Sequence, residues 1–209
     1  MKTIINDLQW RYAVKKFNPD KKLSDEQIVL LKKAFNLTPT SYGLQPIRMK
    51  IVSDDKLKAE LKPAAFDQIQ VTTCSHLLVI AHQTDFGAKD IDRFTALKLA
   101  AMPDKKDDII KNGEILKSRF AVKPKEEIIL WAREQAFIAL GNLLTVCAVE
   151  KIDACPMGGF IPENVNKILG LDKLGLNAAA LLPVGYRAAD DSHQFEPKIR
   201  RPLSEMIIE

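Results

Sequence analysis

Hydrophobic positions recur with two different periods along this chain, and the switches between them mark its elements. Ile4, Ile5, Leu8 and Tyr12 fall at helical spacing over residues 3–12. A second helical stripe, Ile28, Leu31, Ala34 and Phe35, follows Ser24. Ser24 and Gln27 have capping-box spacing there, and Asp25 and Glu26 suit the positive end of a helix dipole. Pro39 ends this helix, because the residue before a proline is pushed out of helical geometry. Ile47, Met49 and Ile51 then alternate with Arg48 and Lys50, the period-two mark of a half-buried strand.

Asp54 to Lys62 reads as a short charged helix, and residues 64–70 as a loop carrying an amide. Leu77 to Ala81 is an apolar run suited to a strand buried on both faces. Residues 86–123 are Lys-rich, with weak helical patterns at 94–101 and 107–119, and read as peripheral helices or a lid. The strongest helical signal spans 125–150, where apolar residues spread around much of the circumference. Such a helix needs cover on more than one side, from a large single core or from a subunit interface. A strand at 152–155, a tight loop at 156–160, and a helix bracketed by Pro162 and Gly170 follow, before a last buried strand at 178–186. Strands mixed with helices indicate α/β or α+β, and 209 residues argue for one domain over 1–209.

Charge adds a more specific feature. Cations cluster near both ends, in Arg11-Tyr12-Ala13-Val14-Lys15-Lys16-Phe17 and in Lys198-Ile199-Arg200-Arg201-Pro202. If the fold joins the ends, these clusters form one anion site. The overall balance of 31 Lys+Arg against 27 Asp+Glu is too even and dispersed to indicate nucleic acid. Cys74, Cys147 and Cys155 lie in apolar stretches without a CxxC pair, as buried free thiols do. His76, His82 and His193 have no spacing that suggests a metal site, and no Walker loop or GxGxxG appears. Neither a signal-peptide pattern nor an apolar run of membrane-spanning length is present, so a cytoplasmic protein without membrane or nucleic-acid partners is expected.

The segment from Arg11 to Phe17, the loop Pro39 to Pro46, the run from Trp131 through Gln135 to Gly141-Asn142-Leu143, and Lys198-x-Arg200-x-Pro202 occur in an order that resembles the FMN-dependent nitroreductase family. The resemblance implies an α+β fold, a three-layer α/β/α sheet flanked by helices, assembled as an intertwined homodimer with FMN at the interface. It implies that Arg11, Lys198 and Arg200 hold the phosphate, with Arg201 either assisting them or pointing to solvent. It implies that Lys15 lies at the flavin N1/O2 edge as the polarising, catalytic cation, and that Tyr12 and Ala13 line the cofactor by their main chain. Thr40, Ser41 and Gly43 would come from the other subunit, with Gln45 supporting them or bonding the flavin. Asp67 and Gln70 would meet the pyrimidine ring, and Met157, Gly158 and Gly159 would offer a backbone N–H to N5. The region from Phe94 to Phe120 would wall the ring. The implied chemistry is hydride transfer from NADH or NADPH through FMN to a small nitroaromatic, quinone or similar acceptor. A specialised flavin reductase with a dedicated substrate, or a flavin-binding or basic interaction protein without turnover, is the alternative.

Overall fold

The computed structural model describes residues 4–209, so the predicted start of the first helix at residue 3 lies outside the described residues. Helix α1 spans Ile4–Trp10 and α2 spans Asp25–Asn36; strand β1 is Ile47–Val52. Two short helices, α3 (Asp55–Leu61) and α4 (Gln70–Thr73), lead into β2 (His76–Gln83). Helices α5 (Ala88–Ala101), α6 (Lys106–Ala121) and α7 (Lys125–Val149) follow, then β3 (Asp153–Ala154), α8 (Pro162–Leu169), β4 (Leu176–Gly185) and α9 (Leu203–Met206).

Local signals set most boundaries. The capping box of α2 is formed, with Gln27 N donating to Ser24 Oγ at 3.3 Å and Ser24 N to Gln27 Oε1 at 3.0 Å. Asp54 caps α3 by accepting from Leu57 N at 2.8 Å. Pro162 opens α8, and Gly170 closes it in the left-handed region at φ +66°.

The four strands form one sheet in the order β1-β2-β4-β3, every neighbouring pair antiparallel. The period-two rule places Leu77, Val79 and Ala81 on one face, in a core with Phe17, Leu61, Val71 and Val165. Leu78 and Ile80 point to the other, in a core with Leu31, Ala136, Ala139 and Leu143. Both faces are therefore covered by helices, which gives three layers and explains why β2 and β4 read as continuous apolar runs. Ile80 pairs with Ala180 but Ala81 with Ala178, so Ala179 is the extra residue of a bulge. That bulge moves Ala178 to the face of Ala81 and Leu181, opposite the one that strict alternation with Ala180 would give it.

The 86–123 region forms the helical pair α5 and α6. Their close approach depends on Gly113, where an added Cβ would meet Thr95 Oγ1 at 2.7 Å. Phe120 turns inward against Phe86 and Trp131, with ring centroids at 5.4 and 5.0 Å, and so presents no open face for the predicted wall. Phe94 instead leans on Gly43.

All three cysteines are free and buried. Burial pushes the Cys74 and Cys147 thiols up to about 12 and raises that of Cys155. Iodoacetamide at about pH 8 is therefore expected to leave the folded protein unlabelled while the urea-unfolded chain takes up three labels. Rapid labelling of the native protein, read by mass spectrometry, contradicts this burial.

Candidate functional site

The two basic clusters meet. Arg11, Tyr12, Ala13 and Lys15 line a cleft of about 400 Å³ together with His193, Glu196, Lys198 and Arg200. The Lys198 ammonium donates to the carbonyl of Arg11, which ties the C-terminal segment to the first cluster. Arg201 is exposed and outside this lining.

Burial lowers the pKa of Arg11, and the nearby Arg200 charge lowers it further. Lys198 is likewise lowered, first by burial and then by Arg11 and Arg200. Three cations thus repel one another across a partly desolvated cleft, the electrostatic condition that favours an anion between them.

A frame of paired groups holds the first cluster. Ala13 bridges to Ala154 in β3, and Val14 N donates to Ala154 O at 3.4 Å. Arg187, just past β4, makes a bidentate pair with buried Asp153, with Nε to Oδ2 at 3.1 Å and Nη2 to Oδ1 at 2.6 Å. The same guanidinium lies between the rings of Trp10 and Tyr12, at 4.4 and 4.5 Å from their centroids. The Tyr12 hydroxyl donates to Asp191 at 3.0 Å, and its pKa is raised by burial and by this carboxylate. Sequence reasoning missed both Asp191 and the Asp153–Arg187 pair. The only trace of Asp191 is an Asp-Asp-Ser turn signal, which is common and says nothing of its distant partners.

From Ala154 the chain runs through buried Cys155, which feels the charges of Lys15 and Arg11, to Met157. Met157 is fixed against β4, its N donating to Leu181 O at 2.8 Å and its O accepting from Leu181 N at 3.0 Å. Gly158 beyond it is exposed, and among the described residues no hydrogen bond uses its N–H. Gly159 O accepts from Gln68 Nε2 at 2.8 Å, which brings in the turn carrying Phe66 and Asp67, both with positive φ. Gln70 begins α4 and is buried, with no side-chain hydrogen bond among the described residues. Chain continuity and hydrogen bonds therefore link the cleft residue Ala13 through Ala154 and Met157 to Gly159 and the turn of Phe66 and Asp67, a strip of connected main chain.

Thr40, Ser41, Gly43 and Gln45 do not line the basic cleft. They form a loop tied to their own chain, with Ser41 N donating to Gln135 Oε1 at 2.8 Å and Gln45 N to Thr40 Oγ1 at 3.0 Å. Gln45 Nε2 also donates to Asn36 O at 2.8 Å, so Gln45 supports the loop. Asn142 Nδ2 bonds Ala34 O and Thr38 Oγ1 at 2.8 and 3.0 Å, fixing the junction of α2 with this loop. Gln135 and Asn142 thus acquire positions within the α7 motif. Among the described residues, no group of three or more His, Cys, Asp or Glu could hold a metal, and no helix is long and apolar enough to cross a membrane.

Fold and cleft together define an α+β protein that gathers cations from both chain ends at the head of a long strip of main chain. The chain belongs to the nitroreductase family, whose sequence profile matches residues 8–186. A Staphylococcus haemolyticus protein assigned as an NAD(P)H nitroreductase is 30% identical over 220 aligned positions, covering 98% of this chain and 96% of its own. Among solved structures, a nitroreductase-like protein from Streptococcus mutans has a TM-score of 0.84 at 24% identity, covering 98% of each chain. A protein of Exiguobacterium sibiricum, assigned as a nitroreductase and solved in complex with FMN, has a TM-score of 0.85 at 19% identity. It covers 100% of this chain and 98% of its own, and at these identities both structural likenesses bear on the fold.

Proposed function

We propose that the chain is an FMN-dependent oxidoreductase that uses NADH or NADPH to reduce nitroaromatics, quinones or similar small acceptors, the two substrates reacting in turn at one site. The observation that carries this reading is the convergence of Arg11, Lys198 and Arg200, whose mutual repulsion fits them to a phosphate monoester of about −1.5 to −2 charge. Bound along the strip, FMN supplies hydride acceptance from the nicotinamide and its delivery to the acceptor.

The residues bind, orient and polarise. Arg11, Lys198 and Arg200 grip the phosphate, and Tyr12 and Ala13 border the cofactor's linker by their main chain. Lys15, exposed in the cleft lining, presents a cation to the ring edge where electron density gathers, which favours electron uptake. Asp67 and Gln70 offer hydrogen-bonding groups to the pyrimidine ring, and the Gly158 and Gly159 backbone offers donors at the ring centre. Thr40, Ser41 and Gly43, in the loop that Gln135 ties to α7 through Ser41 N, serve the site of a second copy. A homodimer accounts for the apolar residues that α1 and α7 expose, Ile4, Ile5 and Leu8 on one and Leu130, Phe137 and Ile138 on the other.

The purified protein is expected to be yellow, to sediment as a dimer, and to lose its absorbance near 450 nm under anaerobic NADH or NADPH. A colourless protein that takes up no added FMN overturns the proposal. A yellow protein that neither nicotinamide bleaches is a binding module without turnover.

A further inference from the structure

Asp191 is 3% exposed, and its carboxylate joins segments far apart in sequence. Its Oδ2 accepts from Lys15 N at 2.9 Å, Lys16 N at 3.2 Å and the Tyr12 hydroxyl at 3.0 Å. Its Oδ1 accepts from His193 N at 3.2 Å and lies 3.4 Å from His193 Nδ1. On either side of Lys15 the chain has other anchors. Val14 is tied to Ala154, while Lys16 O accepts from Ala188 N at 2.9 Å and Asn18 N donates to Tyr186 O at 2.8 Å. Between them, among the described residues, the Lys15 N–H is held by Asp191 alone.

We propose that Asp191 is a positioning residue. Its carboxylate fixes the backbone at Lys15 and Lys16, and so sets the direction in which the Lys15 side chain leaves the chain toward the cofactor. The geometry stands on these hydrogen bonds; the electronic consequence rests on the FMN reading above. Burial alone would raise the Asp191 pKa, but the N–H and O–H donors outweigh it and the net shift is downward. The group is thus ionised at neutral pH, where its bonds are charge-assisted.

Two rival roles give different signs. A scaffold residue would change stability without touching the flavin's electronics. A counter-charge would make the site more receptive to electrons when removed. Positioning Lys15 predicts the reverse, because a misdirected ammonium no longer favours electron uptake.

The test compares Asp191→Asn, which keeps the size and loses the charge, with Asp191→Glu, which keeps the charge and displaces the oxygens. Both variants are expected to shift the midpoint potential of bound FMN to more negative values, and neither to shift it further in a Lys15→Met background. An unchanged or more positive potential in either variant overturns the proposal. Hydrogen exchange in the purified protein supplies a readout independent of FMN. The Lys15 and Lys16 amides are expected to exchange slowly in the wild type and about tenfold or more faster in Asp191→Asn. Fast exchange in the wild type overturns the positioning role even if FMN binds. Failure to bind FMN with slow exchange intact sinks only the functional reading.

Discussion

Replacing Lys198 and Arg200 together by Ala is expected to weaken FMN retention by roughly 10²–10⁴-fold, since each charge-assisted bond is worth about 1.5–3 kcal/mol and about 1.4 kcal/mol is a factor of ten. Both residues are exposed, so screening by salt places the effect toward the lower end of that range. The sign of a second measurement separates a ligand site from a structural one. Arg11 and Lys198 are both disfavoured by their cationic neighbours, so removing Lys198 and Arg200 relieves repulsion in the ligand-free protein. Its thermal midpoint should change little, because the relieved repulsion offsets the lost Lys198 bond to the Arg11 carbonyl, while that of the FMN-loaded protein falls. Riboflavin, which lacks the phosphate, should bind wild type and double variant alike. Equal FMN affinity in a fluorescence titration shows that the phosphate lies elsewhere.

Asp153→Ala should be among the most destabilising changes in the frame of the site. Asp153 is 4% exposed and accepts from the backbone N of Arg187 at 2.7 Å as well as from its guanidinium. Removing the carboxylate leaves a cation packed between Trp10 and Tyr12 without its partner, a change that costs about 3–5 kcal/mol for a buried pair. The Arg187 side chain retains some exposure, which favours the lower figure. For a chain of this size about 3 kcal/mol corresponds to a loss of roughly 6–12 °C in thermal midpoint. Trp10 fluorescence should change with it, because the indole loses an ordered cation over its face. A loss below about 1 kcal/mol would place the pair with ordinary surface ion pairs.

Elements whose signals are local were legible in the chain. The predicted helix over 125–150 corresponds to α7 at Lys125–Val149, because a long proline-free run with apolar residues around much of its circumference has few competing conformations. The Ser24 capping box and the Pro162 and Gly170 brackets each depend on one or two residues and their immediate neighbours. Strand direction was not legible, since antiparallel pairing of β2 with β4 joins residues about a hundred positions apart. The strand expected over 152–155 shrinks to Asp153–Ala154, and the loop expected over 64–70 ends in the one-turn helix α4. Such short pieces are decided by neighbours rather than by their own composition.

The candidate site divides in the same way. Its cations stand out because clustered charge is visible in one dimension, and the fold brings them to one cleft. Asp191, Asp153 and Arg187 were invisible because each is an ordinary charged residue until the fold gives it a distant partner. Leu44 is a similar case. Set in a polar loop, it proves to be buried in the aromatic cluster of Phe86 and Phe120, which anchors the loop's far side.

Gly158 leaves room for evolutionary change in the site. A Cβ built there meets nothing within 4 Å, and its backbone is not in the left-handed region that only glycine enters readily. A mutation at this codon can therefore add charge, length or an aromatic ring to the open loop while the sheet and its anchors stay in place. If FMN binds as proposed, substrate preference at this position is open to selection at little cost to folding, and lineages that share the frame can diverge in what they reduce.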